Sequence, residues 1–280
     1  MGCQKSVSYW GALSVALFVE FLTFSSLTLQ LRAQSLEVSL TFPPTANRGA
    51  PARTAGGGTR GIRTCVKGNI PLTALAPSNN VGTTVSANPT LFWYVPQTEA
   101  KFAKFVVSDN QDKNNEIYQT TLALNGTPGI VKLSIPATVS LEPGKEYWWH
   151  FGLICNTESP SPKEFVNGII ERTELTSEQK RKLEQATEPL KQAEVYAGAT
   201  VWQETLTILA QLRHDRPNDS DITEAWEELL KSVQLEAIAT EPLSECCTAS
   251  PTGSVEINTV PNSKLITANE ASERVLCEKR

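Results

Sequence analysis

Leu141-Glu142-Pro143-Gly144-Lys145-Glu146-Tyr147 runs without a break into Trp148-Trp149-His150-Phe151-Gly152-Leu153-Ile154-Cys155. The Pro-Gly pair is a turn signal, because proline presets φ and glycine accepts the conformations that other residues resist. The aromatic and aliphatic run behind it predicts a strand over 146–155. Side chains alternate across a strand. With Tyr147 turned inward, Trp149, Phe151, Leu153 and Cys155 share the interior face. Trp148, His150, Gly152 and Ile154 then point outward.

Outward from this strand, the stretch 62–173 keeps one rhythm. Short segments rich in β-branched and aromatic residues alternate with Gly, Pro, Asn and Asp. Strands are expected near 64–67, 70–76, 90–95, 102–108, 116–122, 129–135 and 165–172. The pattern fits a two-sheet antiparallel sandwich. The spacing Leu-x-Pro-Gly-x-x-Tyr resembles the corner of fibronectin type III domains. That resemblance implies that the Tyr147 hydroxyl bonds back to the backbone of the turn. Trp93, bracketed by Leu91 and Val95 and followed by Pro96, looks like the core tryptophan of an early strand in that fold. Cys155, inward at the far end of its strand, can meet Cys65 near the first one. Such a bridge would close about ninety residues and contribute about 4 kcal/mol by the chain-entropy estimate.

After Arg172 the period becomes helical. Thr176-Ser177-Glu178-Gln179 is a capping box opening a charged helix to about Thr187, before Pro189. A second stretch, 190–197, leads through Gly198 into 199–212, where Trp202, Leu206 and Leu209 fall on one face. Asp221-Ile222-Thr223-Glu224 is read as the cap of a third helix carrying Ala225, Trp226, Leu229, Leu230 and Val233. The pair 190–212 looks like one tetratricopeptide-type hairpin. A lone repeat cannot bury its own face, so these helices must pack on the sandwich or on each other. The fold class is therefore α+β: an immunoglobulin- or fibronectin III-like antiparallel sandwich followed by a short helical region, a hairpin plus one helix.

The ends read differently. Lys5, an apolar run over 11–31 and the small-residue site Leu31-Arg32-Ala33 predict a signal peptide over 1–33; an uncleaved anchor is the alternative. Residues 34–61, rich in Pro, Gly, Ala and Thr, read as a flexible linker. Gly56-Gly57-Gly58 lacks the Gly-Lys-Ser/Thr of a phosphate loop. The expected segments are thus 1–33 signal peptide, 34–61 linker, 62–173 sandwich, 174–240 helices, and 241–280 a mostly disordered polar tail. Export leads to the periplasm or cell surface, where thiols oxidise. The pairing of Cys246, Cys247 and Cys277 stays open.

A formal charge of −5, without a clustered basic face, argues against nucleic acid, and membrane contact is expected only through the signal segment. Two histidines leave little for acid–base chemistry. No Gly-x-Ser-x-Gly elbow exists, and no cofactor or metal is expected. Asp109, Asp112, Asn114 and Glu116 offer oxygens as calcium would want, but their spacing fails the EF-hand template; a solvated hairpin loop accounts for them. The outward pair Trp148 and His150 is the candidate ligand-binding site. It could hold a sugar or small ligand, or it could be buried under the helices that follow. A sugar platform would need further coplanar aromatics, and Phe92 and Tyr94 belong to a strand placed in the opposite sheet. Tyr147 and Trp93 are assigned structural roles.

Gly56-Gly57-Gly58-Thr59-Arg60-Gly61, Leu72-Thr73-Ala74-Leu75, Pro89 to Pro96, Leu141 to Lys145 and the Tyr196-Ala197 to Trp202 stretch resemble a cyanobacterial family catalogued as domain of unknown function 928, over about residues 54–247. The resemblance implies a cyanobacterial source and export, and supplies no activity or ligand. The function expected is that of an uncharacterised exported protein: a non-catalytic interaction module of the envelope, with an unknown protein or envelope partner. The alternative is an envelope hydrolase or carbohydrate-binding module centred on Trp148 and His150.

Overall fold

A computed structural model describes residues 40–44 and 65–244, apart from 157, 159, 160 and 163. The expected signal segment, most of the linker, and Cys246, Cys247 and Cys277 lie outside these residues.

Among the described residues the fold is mixed α+β, with two sheets and four α-helices. The strands in chain order are β1 (Thr73–Ala74), β2 (Val81–Thr84), β3 (Thr90–Val95), β4 (Phe102–Asp109), β5 (Glu116–Ala123), β6 (Gly129–Ser134), β7 (Glu146–Ile154) and β8 (Glu164–Arg172). The helices are α1 (Ser177–Gln185), α2 (Pro189–Gly198), α3 (Trp202–Asp215) and α4 (Ser220–Ser232). One sheet has the order β1-β3-β6 and the other β2-β8-β7-β4-β5.

The core lies between the sheets. Trp93 of β3 stacks on Phe151 of β7, ring centroids 4.3 Å apart and planes 9° apart. Phe105 and Trp149 meet the same indole edge-on, at 5.1 and 5.9 Å. Tyr147, Trp149, Phe151 and Leu153 are all buried, as alternation from the Pro-Gly turn requires. The Glu142 N–H donates to the Tyr147 hydroxyl at 2.9 Å, tying the turn to the strand that follows it. Gly144 in that turn has φ of +73°, which glycine adopts without strain. Cys65 and Cys155 form a disulfide with Cα atoms 5.5 Å apart.

The structure departs from the all-antiparallel sandwich at one edge. β2 runs parallel to β8, pairing Val81 with Ile169 and Thr84 with Arg172. A parallel pair needs a long crossover, and the strands between β2 and β8 provide it. The first expected strands also shrink. Val66 forms only an isolated bridge to Thr98, and of 70–76 only Thr73–Ala74 pairs. Gly68, with φ of +101°, and the prolines at 71 and 77 interrupt the ladder.

The helical layer starts on the Thr176–Gln179 capping box. α4 is capped by Asp219, which accepts from Asp221 N and Ile222 N, rather than by Asp221. α3 packs on α2, α4, β2 and β3. Its Trp202 indole donates to the Leu75 carbonyl at 2.9 Å. Two short terminal pieces join this layer. Within the stretch read as linker, Leu40 and Phe42 are buried; Leu40 N donates to Glu228 and Phe42 N to Ser232, while the Phe42 ring meets Trp202 edge-on at 5.0 Å. At the start of the expected tail, Leu243 bridges Ile130 on the β6 edge. A hydrophobic residue at every second position, as at Leu40 and Phe42, is enough to seat an extended segment, and average composition conceals it.

Tyr147→Phe removes one buried hydrogen-bond acceptor and leaves an amide unpaired. It should lower unfolding stability by about 1–2 kcal/mol, read from the urea midpoint at unchanged m-value. Replacing both Cys65 and Cys155 by serine should cost about 4 kcal/mol in the same measurement.

Candidate functional site

β7 is central in its sheet, flanked by β4 and β8. Its outward residues therefore sit within a row of neighbours supplied by both. In register, His150 opposes Val106 and Asn167, Trp148 opposes Ser108 and Ile169, and Gly152 opposes Lys104 and Phe165. The structure brings Trp148 and His150 together, ring centroids 5.7 Å apart and planes 28° apart. Phe165 continues the row, 4.8 Å from His150 with planes at 35°. Three rings thus form a strip on the outer face of the five-stranded sheet. Lys113, from the β4–β5 loop, holds its ammonium 5.1 Å from the centre of the Trp148 ring, a cation–π distance.

The strip is half-buried, and among the described residues no helix packs broadly on the strands that carry it. α3 takes its main strand contacts on β2 and β3, which are not the strands that carry Trp148, His150 and Phe165. The cover is local. A Cβ on Gly152 would lie 2.4 Å from Cβ of Pro162 and 3.1 Å from His150 Nε2, so the missing side chain lets the β7–β8 connection and the imidazole close over the strand. Burial holds the His150 imidazole below the ordinary histidine pKa of 6.5, and the positive charge of Lys104 pushes the same way. Phe92 and Tyr94 lie in the three-stranded sheet and are buried, so they add nothing to the strip.

Phe165 is the strip residue that the sequence reading missed. Glu164-Phe165-Val166-Asn167-Gly168-Ile169 is apolar on both faces of its strand, and that loss of clean alternation is the signal that could have found it. The oxygen-rich β4–β5 loop uses its acids on itself: Asp109 accepts from Gln111 N at 2.7 Å, and Asp112 accepts from Asn114 N at 3.0 Å. These are the local turns that Asp and Asn form without a metal.

The family profile described as Domain of Unknown Function (DUF928) matches residues 55–243. The chain belongs to this family. The matched span takes in both sheets and all four helices, so DUF928 is a joint β and α unit rather than a sandwich with an unrelated appendage. No curated protein matches the chain.

The low affinity of His150 for a proton has a consequence for stability. Below pH 6.5 the unfolded chain protonates this imidazole while the folded one resists. The unfolded state then binds more protons, so stability falls as the solution is acidified from about pH 7 towards pH 5. His150→Gln should flatten that part of a melting-temperature profile without altering it above neutrality.

Proposed function

We propose that this chain is an exported, non-catalytic interaction module of the cell envelope, with the outer face of the five-stranded sheet as its contact surface. The observation that carries the reading is the strip Trp148, His150, Phe165, left uncovered by the helical layer and bordered by Lys113. Aromatic side chains give large contact area for little conformational entropy, and they are enriched at protein contact surfaces.

Export draws support from the N-terminal apolar run and from the Cys65–Cys155 bridge, since disulfides persist in oxidising compartments. A periplasmic or surface location and a cyanobacterial source belong to the same proposal. A fibronectin III-like sandwich draws support from the hydroxyl-tied Pro-Gly corner and from Trp93 in the interior; the parallel edge strand β2 is its departure from that pattern. The α2–α3 hairpin is proposed as a single tetratricopeptide-like unit that uses the sandwich in place of a second repeat.

A protein partner in the envelope is the first reading. A carbohydrate is the second, favoured by the shallow angles between successive rings, 28° and 35°, which present neighbouring faces to a sugar. A hydrolase built on His150 would use its neutral imidazole as a base.

Trp148→Ala combined with Phe165→Ala tests the surface. In-cell cross-linking of the unaltered chain should recover an envelope partner, and the double variant should lose it while keeping its melting temperature within a few degrees. Recovery of no envelope component by the unaltered chain would sink the module. Retarded migration in polysaccharide-containing gels, abolished by the same variant, would move the assignment to the carbohydrate reading. Turnover of an envelope substrate that disappears in a folded His150→Ala variant would move it to the hydrolase.

A further inference from the structure

A second site shares no residue with the ring strip. Between the α2–α3 hairpin and the β2–β3 connection there is an open cleft of about 300 Å³, the lower end of the range for small-ligand pockets. Its chemistry is lopsided. Glu204 is the acidic residue among those around the cleft, and none of them is a lysine or arginine. The amide NH₂ of Asn88 is spent on the carbonyls of Pro136 and Val139, and that of Gln192 on the carbonyl of Ala186. Asn88 is left with its oxygen, and Gln192 with its oxygen and one N–H. Gln203 is 4% exposed, and its Oε1 has no hydrogen-bond partner. Glu204 uses Oε1 to accept from Thr84 Oγ1, Val85 N and Ser86 N at 2.7–3.1 Å, while its buried Oε2 has no partner.

Two unpaired buried acceptors on successive residues in the first turn of a helix are costly. A ligand that donates to them recovers that cost. We propose that this cleft binds an organic cation rich in N–H donors, a guanidinium or alkylammonium group, with Glu204 and Gln203 as its acceptors and the Tyr196 ring as one wall. The group comes either from a free small molecule or from an arginine or lysine side chain of a partner. A guanidinium offers five donors in a planar fork, which matches a carboxylate next to a carboxamide. An aromatic wall favours the same charge. A bare divalent metal fits poorly: calcium wants six to eight oxygens packed closely around it, and a single carboxylate in a cleft of about 300 Å³ does not provide them. Burial and the charge of Glu204 both raise the Tyr196 pKa, so its phenol stays neutral and able to donate or accept.

The test is calorimetric titration of the full chain with agmatine, with acetyl-Gly-Arg-Gly-amide, and with the same peptide carrying neutral citrulline. Saturable binding of the guanidinium probes and none of the citrulline peptide is the expected result. Glu204→Gln keeps the oxygen that caps Thr84, Val85 and Ser86, and should weaken binding at least tenfold, roughly the loss of one charge-assisted pair. Thr207→Arg places a tethered guanidinium in the cleft; it should abolish probe binding and raise the melting temperature. This second variant decides the matter if Glu204→Gln fails to fold. Agmatine binding as tightly as the peptide identifies a free small cation as the ligand, and a tighter peptide identifies a partner's arginine. No saturable binding of either guanidinium probe to the unaltered chain, or binding that survives in Thr207→Arg, overturns the proposal. Trp148→Ala should leave these titrations unchanged, which separates this site from the sheet-face reading.

Discussion

The stack of Trp93 on Phe151 is the contact on which the two sheets depend. The three-stranded sheet is small, and β1 contributes only two residues to it. It can stay registered on the larger sheet only if one side chain reaches deeply across. Trp93 does so at the centre of β3, meeting rings from both β4 and β7. The cost is visible: its indole N–H is buried without a partner, and an unpaired buried donor opposes folding. The offset comes from the area of four packed rings. It holds only while Phe151 stays in phase, and that phase is set by the Tyr147 hydroxyl at one end of β7 and by Cys155 beyond the other.

A second constraint joins the sheets to the helices, and it passes through β2. This four-residue strand, Val81-Gly82-Thr83-Thr84, has almost no hydrophobic face. Each of its last three residues has a task in the helical layer. Gly82 leaves room for Gln203, whose Nε2 would lie 2.6 Å from a Cβ there. The Thr83 hydroxyl donates to the Thr200 carbonyl and accepts from Trp202 N, so a strand residue caps a helix whose own N-cap position is a valine. Thr84 binds Glu204. These ties hold β2 between α3 and β8, with which it pairs in parallel.

The same facts explain what could and could not be read from the sequence. β3 to β8 were legible nearly to the residue, because each is a β-branched, aromatic or aliphatic stretch bounded by turn residues, even β5, where only Leu122 is buried. The Pro-Gly corner fixed the facing of Trp148 and His150. β2 was invisible because its Gly-Thr-Thr tail hydrogen-bonds where periodicity arguments look for apolar packing. The Asp219 cap was missed because Asp221 offers the same chemistry two residues later, and only the chain path chooses between them. Phe165 needed the register of β8 against β7, which alternation within one strand cannot supply. Glu204 was hidden more deeply: in sequence it is one acid in the first turn of a helix, and its meaning comes from backbone amides about 120 positions away.

The two faces of the molecule were built by opposite means. On the three-stranded side the apolar residues Phe92, Tyr94 and Ile130 are covered by other parts of the same chain, with Leu243 bridging Ile130 and α3 packed on β3. On the five-stranded side, among the described residues, Pro162 of the β7–β8 connection closes over Gly152 beside the ring strip. Sequence economy would have placed Thr or Lys at Trp148 and Phe165 if that face met only water, as it does at Lys104 and Thr121 on the same surface. Three half-buried rings in a row on that face are an apolar feature of the kind that contact surfaces carry. Lys113, itself exposed, holds its ammonium over the Trp148 ring, so a cation and an aromatic face stand together beside the strip, a pairing that suits contact.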